Sequence, residues 1–160
     1  MVAGLARRRS AAATLAFLDR VLEEMPFSIQ RIQTDRGTEF FAENVQRRLM
    51  AEAIRFRPVR PRSPHLNGKV ERAQRTMLEE FWAVTDTKAA DLDDQLALWV
   101  HHYNWHRSHE ALHGLTPIDR VCGLTDKTPL WEAVSAAYEP EKERIRVRHY
   151  AVEMALRELK

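Results

Sequence analysis

Two acidic residues, Asp35 and Glu71, each lie in a short motif of polar and small residues. Asp35 belongs to the segment TDRGTEF at residues 34–40, and Glu71 belongs to SPHLNGKVER at residues 63–72. The 35 residues between the two acids are enough for one helix and one strand, so the acids can meet where the next element begins. Carboxylates are typical ligands of hard divalent cations. The spacing therefore predicts a candidate metal site.

The chain around Glu71 is strongly basic. Residues 55–75 contain six arginines and one lysine against this single acid, a local net charge of +6, whereas the whole chain of 160 residues carries +2. Basic charge concentrated in one stretch indicates a polyanionic partner, and an acid isolated among cations is a candidate catalytic group. The alternative interpretation is a surface ion pair between Glu71 and Arg75, which lie one helical turn apart.

Hydrophobic periodicity predicts the elements that carry Asp35. Ser10 is a suitable N-cap for a first helix, which Pro26 ends. Residues 27–34 are rich in β-branched and aromatic side chains, so we predict a strand with Asp35 at its carboxyl end, where α/β sheets commonly place ligand groups. A second helix follows, with apolar residues at intervals of four: Phe41, Val45, Leu49 and Ala53.

A second strand and a third helix are predicted to carry the basic stretch. Residues 54–59 alternate apolar and basic side chains, and Pro58, which lacks a backbone donor, indicates an edge strand whose arginines face solvent or DNA. Asn67 and Gly68 open the third helix and place Glu71 in its first turn, off the buried stripe. That stripe consists of Val70, Ala73, Met77, Phe81 and Val84.

Five of the seven histidines lie between residues 101 and 113, at the end of a predicted fourth helix and in the segment after it. A zinc site is one interpretation of this cluster. No cysteine and no carboxylate pattern accompanies these histidines, so packing and phosphate contact are the favoured interpretations.

After Gly123 the composition changes, and two further helices are predicted at residues 129–138 and 145–160. A charged segment, residues 139–144, is predicted to join them. The final helix mixes Arg and Glu with one apolar stripe, a pattern typical of a solvated helix that docks through that stripe on its own domain. The stripe consists of Ile145, Val152, Leu156 and Leu159.

Composition limits the class of protein and its location. Hydrophobic residues make up 44% and charged residues 30% of the chain, values typical of a folded protein rather than a disordered one. No apolar run is long enough to span a bilayer, so we expect no membrane partner. The single cysteine, Cys122, excludes an intrachain disulfide and favours a reducing, cytoplasmic location.

Taken in order, the motifs resemble those of the catalytic core of DDE transposases and retroviral-type integrases, most closely insertion-sequence transposases of the IS3 and IS481 kind. The segment at residues 34–40 is similar to their second-aspartate motif, and residues 64–72 are similar to their glutamate motif. A downstream signature also matches, and the resemblance covers residues 1–121. The signature residues are Trp99, Tyr103, Asn104, Arg107, His109, Leu112, Gly114, Thr116 and Pro117.

The resemblance implies an α/β, ribonuclease H-like fold, with a partial integrase core at residues 1–121 and a helical C-terminal extension at residues 122–160. It also implies two Mg²⁺ or Mn²⁺ ions that promote phosphodiester transfer between the ends of a mobile DNA element and its target. Asp35 and Glu71 are then the second and third metal ligands. The residues that we expect to contact DNA are Arg60, Arg62, His65, Asn67, Lys69, Arg72 and Arg75.

The first ligand of that family, an aspartate on the first strand, has no counterpart, because the chain starts close to its first helix. We therefore expect an N-terminally truncated core that lacks its first strands, binds metal weakly and joins DNA poorly. One alternative is a non-catalytic DNA-binding or transposase-assembly module, with a full-length transposase or a second copy of the chain as partner. Another is a ribonuclease H-type nuclease, against which the Gly-x-Thr-Pro signature and the basic segment before Glu71 argue.

Overall fold

The computed structural model of the protein describes residues 1–59 and 68–158. Helices predominate in these residues, and none of them is long and apolar enough to cross a membrane. In chain order the elements are α1 (Ala11–Glu24), β1 (Arg31–Thr34), α2 (Glu43–Ala51), β2 (Arg55–Pro58), α3 (Gly68–Met77), α4 (Leu92–Trp105), α5 (Pro117–Cys122), α6 (Trp131–Ala136) and α7 (Pro140–Glu158).

The chain forms two compact units. One of them, named here the strand unit, comprises Arg7–Pro61 and Pro129–Lys160. The other, named the helical unit, comprises Met1–Ala6 and Arg62–Thr128. The boundary predicted between a core and a C-terminal extension, at residues 121–122, remains a prediction.

Helix α1 begins and ends where the sequence predicts. The Ser10 side chain accepts a hydrogen bond from the backbone N–H of Ala13 at 3.2 Å, which satisfies one of the free donors in the first turn. The helix ends before Pro26, with Met25 already in an extended conformation. Leu18, at the middle of the predicted apolar face, is buried.

Strands β1 and β2 are parallel, with Thr34 opposite Pro58. A parallel pair requires a crossover connection, and α2 supplies it. The backbone N–H of Val59 donates to the carbonyl oxygen of Thr34 at 2.8 Å. Successive residues of a strand direct their backbone N–H groups to opposite sides, so the nitrogen of Pro58 faces away from β1. On that side β2 pairs with no other strand of the described chain, and a proline there leaves no hydrogen bond unmade. The predicted edge strand is confirmed for these residues.

The core of the strand unit combines residues of α1, α2 and both strands. Ile54 and Phe56 point into this core. They alternate with Arg55 and Arg57, whose side chains lie on the other face of the sheet. The ring of Phe56 packs edge-on against Phe41, with the two centroids 5.2 Å apart. The buried members of the core are Leu18, Val45, Leu49, Ile54 and Phe56.

Helix α7 differs from its prediction at both its start and its buried face. It begins at Pro140, so the charged segment predicted as a linker is its first turn. Proline suits this position because an N–H there has no intrahelical partner. The predicted apolar stripe is solvent-exposed, with Ile145, Val152 and Leu156 each more than half exposed. Its fourth member, Leu159, lies outside the described residues.

The face of α7 that packs on the rest of the strand unit is centred on an acidic residue. Glu143 is 5% exposed, and its carboxylate accepts hydrogen bonds from Arg57 of β2 at 2.5 and 2.7 Å. One turn later Val147 packs on the apolar core. The prediction that the arginines of β2 face solvent or DNA is therefore wrong for Arg57. The other arginine of β2, Arg55, also contacts the C-terminal part of the chain, because it donates to the carbonyl oxygen of Ala137 at 3.0 Å.

In the helical unit, α3 continues into a π-helical turn at Leu78–Trp82. A π-helical turn contains one residue more than an α-helical turn, so it rotates the side chains that follow it. Val84 lies in the turn after this segment and is 79% exposed, and Val70, at the start of α3, is 56% exposed. The predicted stripe is thus correct at its centre and wrong at its two ends. The buried core of this unit consists of Phe81, Leu96 and Val100.

Candidate metal and DNA-binding site

Asp35 directly follows β1, as predicted, and is exposed. Its Oδ1 atom accepts a hydrogen bond from the backbone N–H of Gly37 at 3.2 Å, a local bond that stabilises a tight turn. A Cβ atom at Gly37 would lie 2.6 Å from the carboxylate of Glu39, so the flexible side chain of Glu39 would have to move. The Asp-x-Gly part of the motif therefore builds a turn that presents the Asp35 carboxylate to solvent.

Glu71 lies in the first turn of α3 and is exposed, as predicted. It lines a groove of about 1010 Å³ within the helical unit. Among the described residues Glu71 forms no ion pair. The alternative interpretation of Glu71, a surface ion pair with Arg75, is therefore not observed. Pairs at the same spacing do form elsewhere, for example between Arg47 and Glu43 at 2.7 Å.

Three predicted DNA contacts, Lys69, Arg72 and Arg75, are exposed and line the same groove as Glu71. Asp35 belongs to the strand unit and Glu71 to the helical unit, and their pairing in one metal site remains a prediction. Four other predicted contacts lie outside the described residues: Arg60, Arg62, His65 and Asn67.

The opposite wall of the groove is built by the end of α4 and the segment after it. Arg107 donates three hydrogen bonds to the carboxylate of Glu80, at 2.7 to 3.1 Å. Its guanidinium carbon also lies 5.7 Å from the centre of the Tyr103 ring. Arg107 and Tyr103 were recognised in the sequence, but Glu80 was not, because 27 residues separate it from Arg107 and no local pattern links them.

His109 packs beside Arg107, with its Nδ1 atom 3.3 Å from Nη1 of the arginine. Because a guanidinium only donates, Nδ1 is the acceptor and the proton of the neutral ring is on Nε2. Nε2 is buried and has no hydrogen-bond partner among the described residues. Burial, and then the positive charge of Arg107, lower the pKa of His109 below its ordinary value of 6.5. His109 is therefore neutral at pH 7.

We expect the helical unit to lose stability as the pH falls below about 6.5. Because the pKa of His109 is lower in the folded than in the unfolded chain, the unfolded chain takes up the proton first. The contribution of neutral His109 to the free energy of unfolding is fully present above the unfolded pKa and is lost as the pH falls toward the folded one. The upper limit of this loss is about 1.4 kcal/mol per pH unit.

Thermal unfolding of the wild type and of His109→Gln, between about pH 5 and pH 8, measures this effect. The melting temperature of the wild type is expected to fall more steeply with acid than that of the variant. Parallel curves for the two proteins would show that His109 does not carry the pH dependence.

The Gly-x-Thr-Pro segment closes the loop that carries His109. Gly114 has a φ angle of +83°, a conformation that glycine adopts without the steric cost of a side chain. The N–H of Thr116 donates to Oδ2 of Asp119 at 3.0 Å, and the N–H of Asp119 donates to Oγ1 of Thr116 at 3.3 Å. This reciprocal capping box starts α5 directly after the loop. The signature residues therefore have a structural role, which is to hold this wall of the groove.

The chemistry of the candidate donors fits a hard divalent cation. Asp35 and Glu71 both offer exposed carboxylate oxygens, the ligands that Mg²⁺ and Mn²⁺ prefer. Across residues 1–59 and 68–158, no group of three or more His, Cys, Asp or Glu side chains is arranged to hold a metal ion. The histidines at the end of α4 and directly after it contact one another and a tryptophan, through the rings of His101, His102, Trp105 and His106.

Comparison with known proteins identifies this architecture. Residues 52–117, which include Glu71 and the signature up to Pro117, match a family model described as "Integrase core domain". The fold is similar to the crystal structure of the catalytic core domain of BIV integrase, at 18% sequence identity and a TM-score of 0.62, with 78% of each chain covered.

At 18% identity the structural likeness shows the fold, and it confirms the predicted α/β, ribonuclease H-like class. No curated protein matches the chain. The family match and the fold agree. The segment at residues 52–117 is thus similar to the integrase core family, and the fold of the chain is similar to that of an integrase catalytic core domain.

Proposed function

We propose that the chain is a catalytic-core segment for DNA transposition and integration, acting by metal-dependent phosphodiester transfer, with Asp35 and Glu71 as metal ligands. The observation that carries the proposal is the position of Glu71. Its carboxylate forms no ion pair among the described residues, although Lys69, Arg72 and Arg75 line the same groove. The carboxylate is thus available to a divalent cation, and the three cations are available to phosphate groups.

A divalent ion bound by these carboxylates would polarise the scissile phosphate and activate the attacking oxygen. The residues of the chain itself bind and position the DNA. Lys69, Arg72 and Arg75 neutralise backbone phosphates, which fixes the orientation of the duplex but reads little sequence. Arg107, held by Glu80, shapes the facing wall. We therefore expect DNA binding that is weakly specific and strongly dependent on salt.

The two carboxylates neutralise only half of the charge of two divalent ions, so binding of a second ion would rely on the phosphate of the substrate. We accordingly propose that this chain alone binds metal weakly and joins DNA ends poorly. The same basic groove supports a second candidate function, a non-catalytic DNA-binding or assembly module with a transposase or a second copy as partner. We also propose a reducing, cytoplasmic location, because the sequence contains a single cysteine, Cys122.

DNA binding is tested by titrating a labelled duplex at several salt concentrations. The three phosphate contacts of Lys69, Arg72 and Arg75 are expected to contribute a fall in affinity of about 40-fold between roughly 50 and 200 mM salt. The triple variant Lys69→Ala, Arg72→Ala, Arg75→Ala is expected to lose most of this dependence. A matched control removes three exposed arginines of the strand unit, Arg47, Arg144 and Arg148. Equal affinity at low and high salt, or equal effects of the two triple variants, would contradict the proposed interface.

The same duplexes, offered as donor and target with Mg²⁺, separate the candidate functions. Little or no joining is expected from this chain alone, and efficient joining would refute the proposed impairment. DNA binding that does not change with metal would favour the assembly module. Cleavage of an RNA–DNA hybrid would instead favour a ribonuclease H-type nuclease.

A further inference from the structure

Three arginines of the strand unit bind the C-terminal part of the chain. Two of them, Arg55 and Arg57, lie on β2 and contact Ala137 and Glu143, as described above. The third, Arg36, directly follows Asp35 and donates through Nη2 to Oε2 of Glu153 on α7, at 3.2 Å. The C-terminal helix is therefore attached next to a candidate metal ligand.

The guanidinium of Arg36 is held from more than one side. Its Nε atom donates to the carbonyl oxygen of Val59, the residue after β2, at 3.1 Å. Its Nη1 atom is buried without a hydrogen-bond partner in the described part of the chain, and the side chain as a whole is only 16% exposed. A guanidinium enclosed in this way cannot bind a DNA phosphate without giving up its present contacts. Arg36 instead ties the turn after β1 to the end of β2 and to α7.

We propose that α7 is a positioning element for the Asp35 carboxylate, an inference that rests on the proposed metal-binding function of Asp35. Arg36 is the middle residue of the turn in which the N–H of Gly37 donates to Asp35. Glu153 holds that middle residue in place and so restricts the motion of the turn. Glu153 and Arg36 are thus positioning residues, and the affinity of Asp35 for a divalent cation depends on both.

Two acids of α7 have different roles in this arrangement. Glu143 is almost fully buried and accepts two hydrogen bonds from Arg57, so it contributes to the stability of the whole strand unit. The side chain of Glu153 is 35% exposed, and partly exposed ion pairs contribute little to global stability. Removing Glu153 therefore breaks one contact of Arg36 and keeps its bond to Val59, and exchange at core amides measures any loss of global stability separately.

The test uses the full chain with Glu153→Gln, and with Arg36→Lys, which keeps the charge but loses the planar donor geometry. Hydrogen–deuterium exchange at the Gly37 amide is expected to become about tenfold faster in both variants. The affinity of the DNA-bound chain for Mn²⁺ is expected to fall about tenfold, as for other residues that orient metal ligands. Glu141→Gln, on an exposed part of the same helix, is the matched control and should leave both quantities unchanged.

Unchanged exchange at Gly37 in both variants would overturn the proposal. Equal acceleration at Gly37 and at a core amide such as Leu49 would also overturn it, because that pattern indicates general loss of stability. Faster exchange confined to the turn, in a chain whose wild type binds no Mn²⁺, would support positioning by α7 and reject the metal function of Asp35. The two proposals can therefore fail independently.

Discussion

Replacing Glu143 with alanine is expected to lower the free energy of unfolding by about 3 kcal/mol, the lower end of the range for breaking a buried ion pair, because it leaves the guanidinium of Arg57, whose side chain is 21% exposed, without its partner. Both carboxylate oxygens of Glu143 accept hydrogen bonds from Arg57, and one also accepts from Arg146 at 3.1 Å. A loss of this size is a large fraction of the total stability of an ordinary domain. Urea unfolding followed by circular dichroism measures it.

Two further variants show whether the buried pair is the cause. Glu141→Ala removes an exposed acid from the same helix, whose pair with Arg144 is solvent-screened, and is expected to cost less than about 0.5 kcal/mol. The double variant Arg57→Met, Glu143→Met replaces the pair with apolar side chains and should recover most of the lost stability. Equal losses for Glu143→Ala and Glu141→Ala would contradict a buried, stabilising contact.

The same pair also makes stability depend on acid. Hydrogen bonds from Arg57 hold the pKa of Glu143 below its ordinary value of 4.5. The contribution of this carboxylate to the free energy of unfolding is therefore fully present above the unfolded pKa and is lost as the pH falls through the folded one. The difference between the wild type and Glu143→Ala is accordingly expected to shrink when unfolding is measured below about pH 4.

Local sequence signals predicted the elements around Asp35 well. The N-cap at Ser10 and the helix stop at Pro26 each depend on the chemistry of one residue. The strand before Asp35 was predicted at residues 27–34 and observed at Arg31–Thr34, because β-branched composition marks a strand but not how much of it has a pairing partner.

Contacts between distant parts of the chain could not be predicted. Arg57 and Glu143 are 86 residues apart, and Arg36 and Glu153 are 117 apart. The pattern of α7 favoured its most apolar face as the docking face, whereas the observed face carries Glu143. That choice depends on the arginine opposite it, which no periodicity of α7 itself reveals.

In the candidate site, too, local features could be predicted from the sequence and contacts between distant residues could not. Glu71 and the cations Lys69, Arg72 and Arg75 were predicted from charge and position in one helix, and the structure places them on one groove. The facing wall depends on Glu80, which holds Arg107 although 27 residues separate the two in the chain.

The second large effect concerns the metal ligands themselves. Asp35→Asn and Glu71→Gln keep the size of each side chain but remove its charge and one anionic ligand oxygen. Because loss of a residue that merely orients a ligand costs 10–100-fold in affinity, loss of the ligand is expected to cost about a hundredfold or more. Asp19→Asn in the strand unit and Glu79→Gln in the groove are matched controls, since neither lies in the two motifs.

Electron paramagnetic resonance of Mn²⁺, titrated into the chain bound to duplex DNA, tests the central claim most directly. Weak Mn²⁺ binding is expected in the wild type and in both control variants, and little or none in Asp35→Asn and Glu71→Gln. Mn²⁺ binding by Asp35→Asn and Glu71→Gln that equals the wild type would contradict the claim that these two carboxylates form the metal site of an integrase-type core.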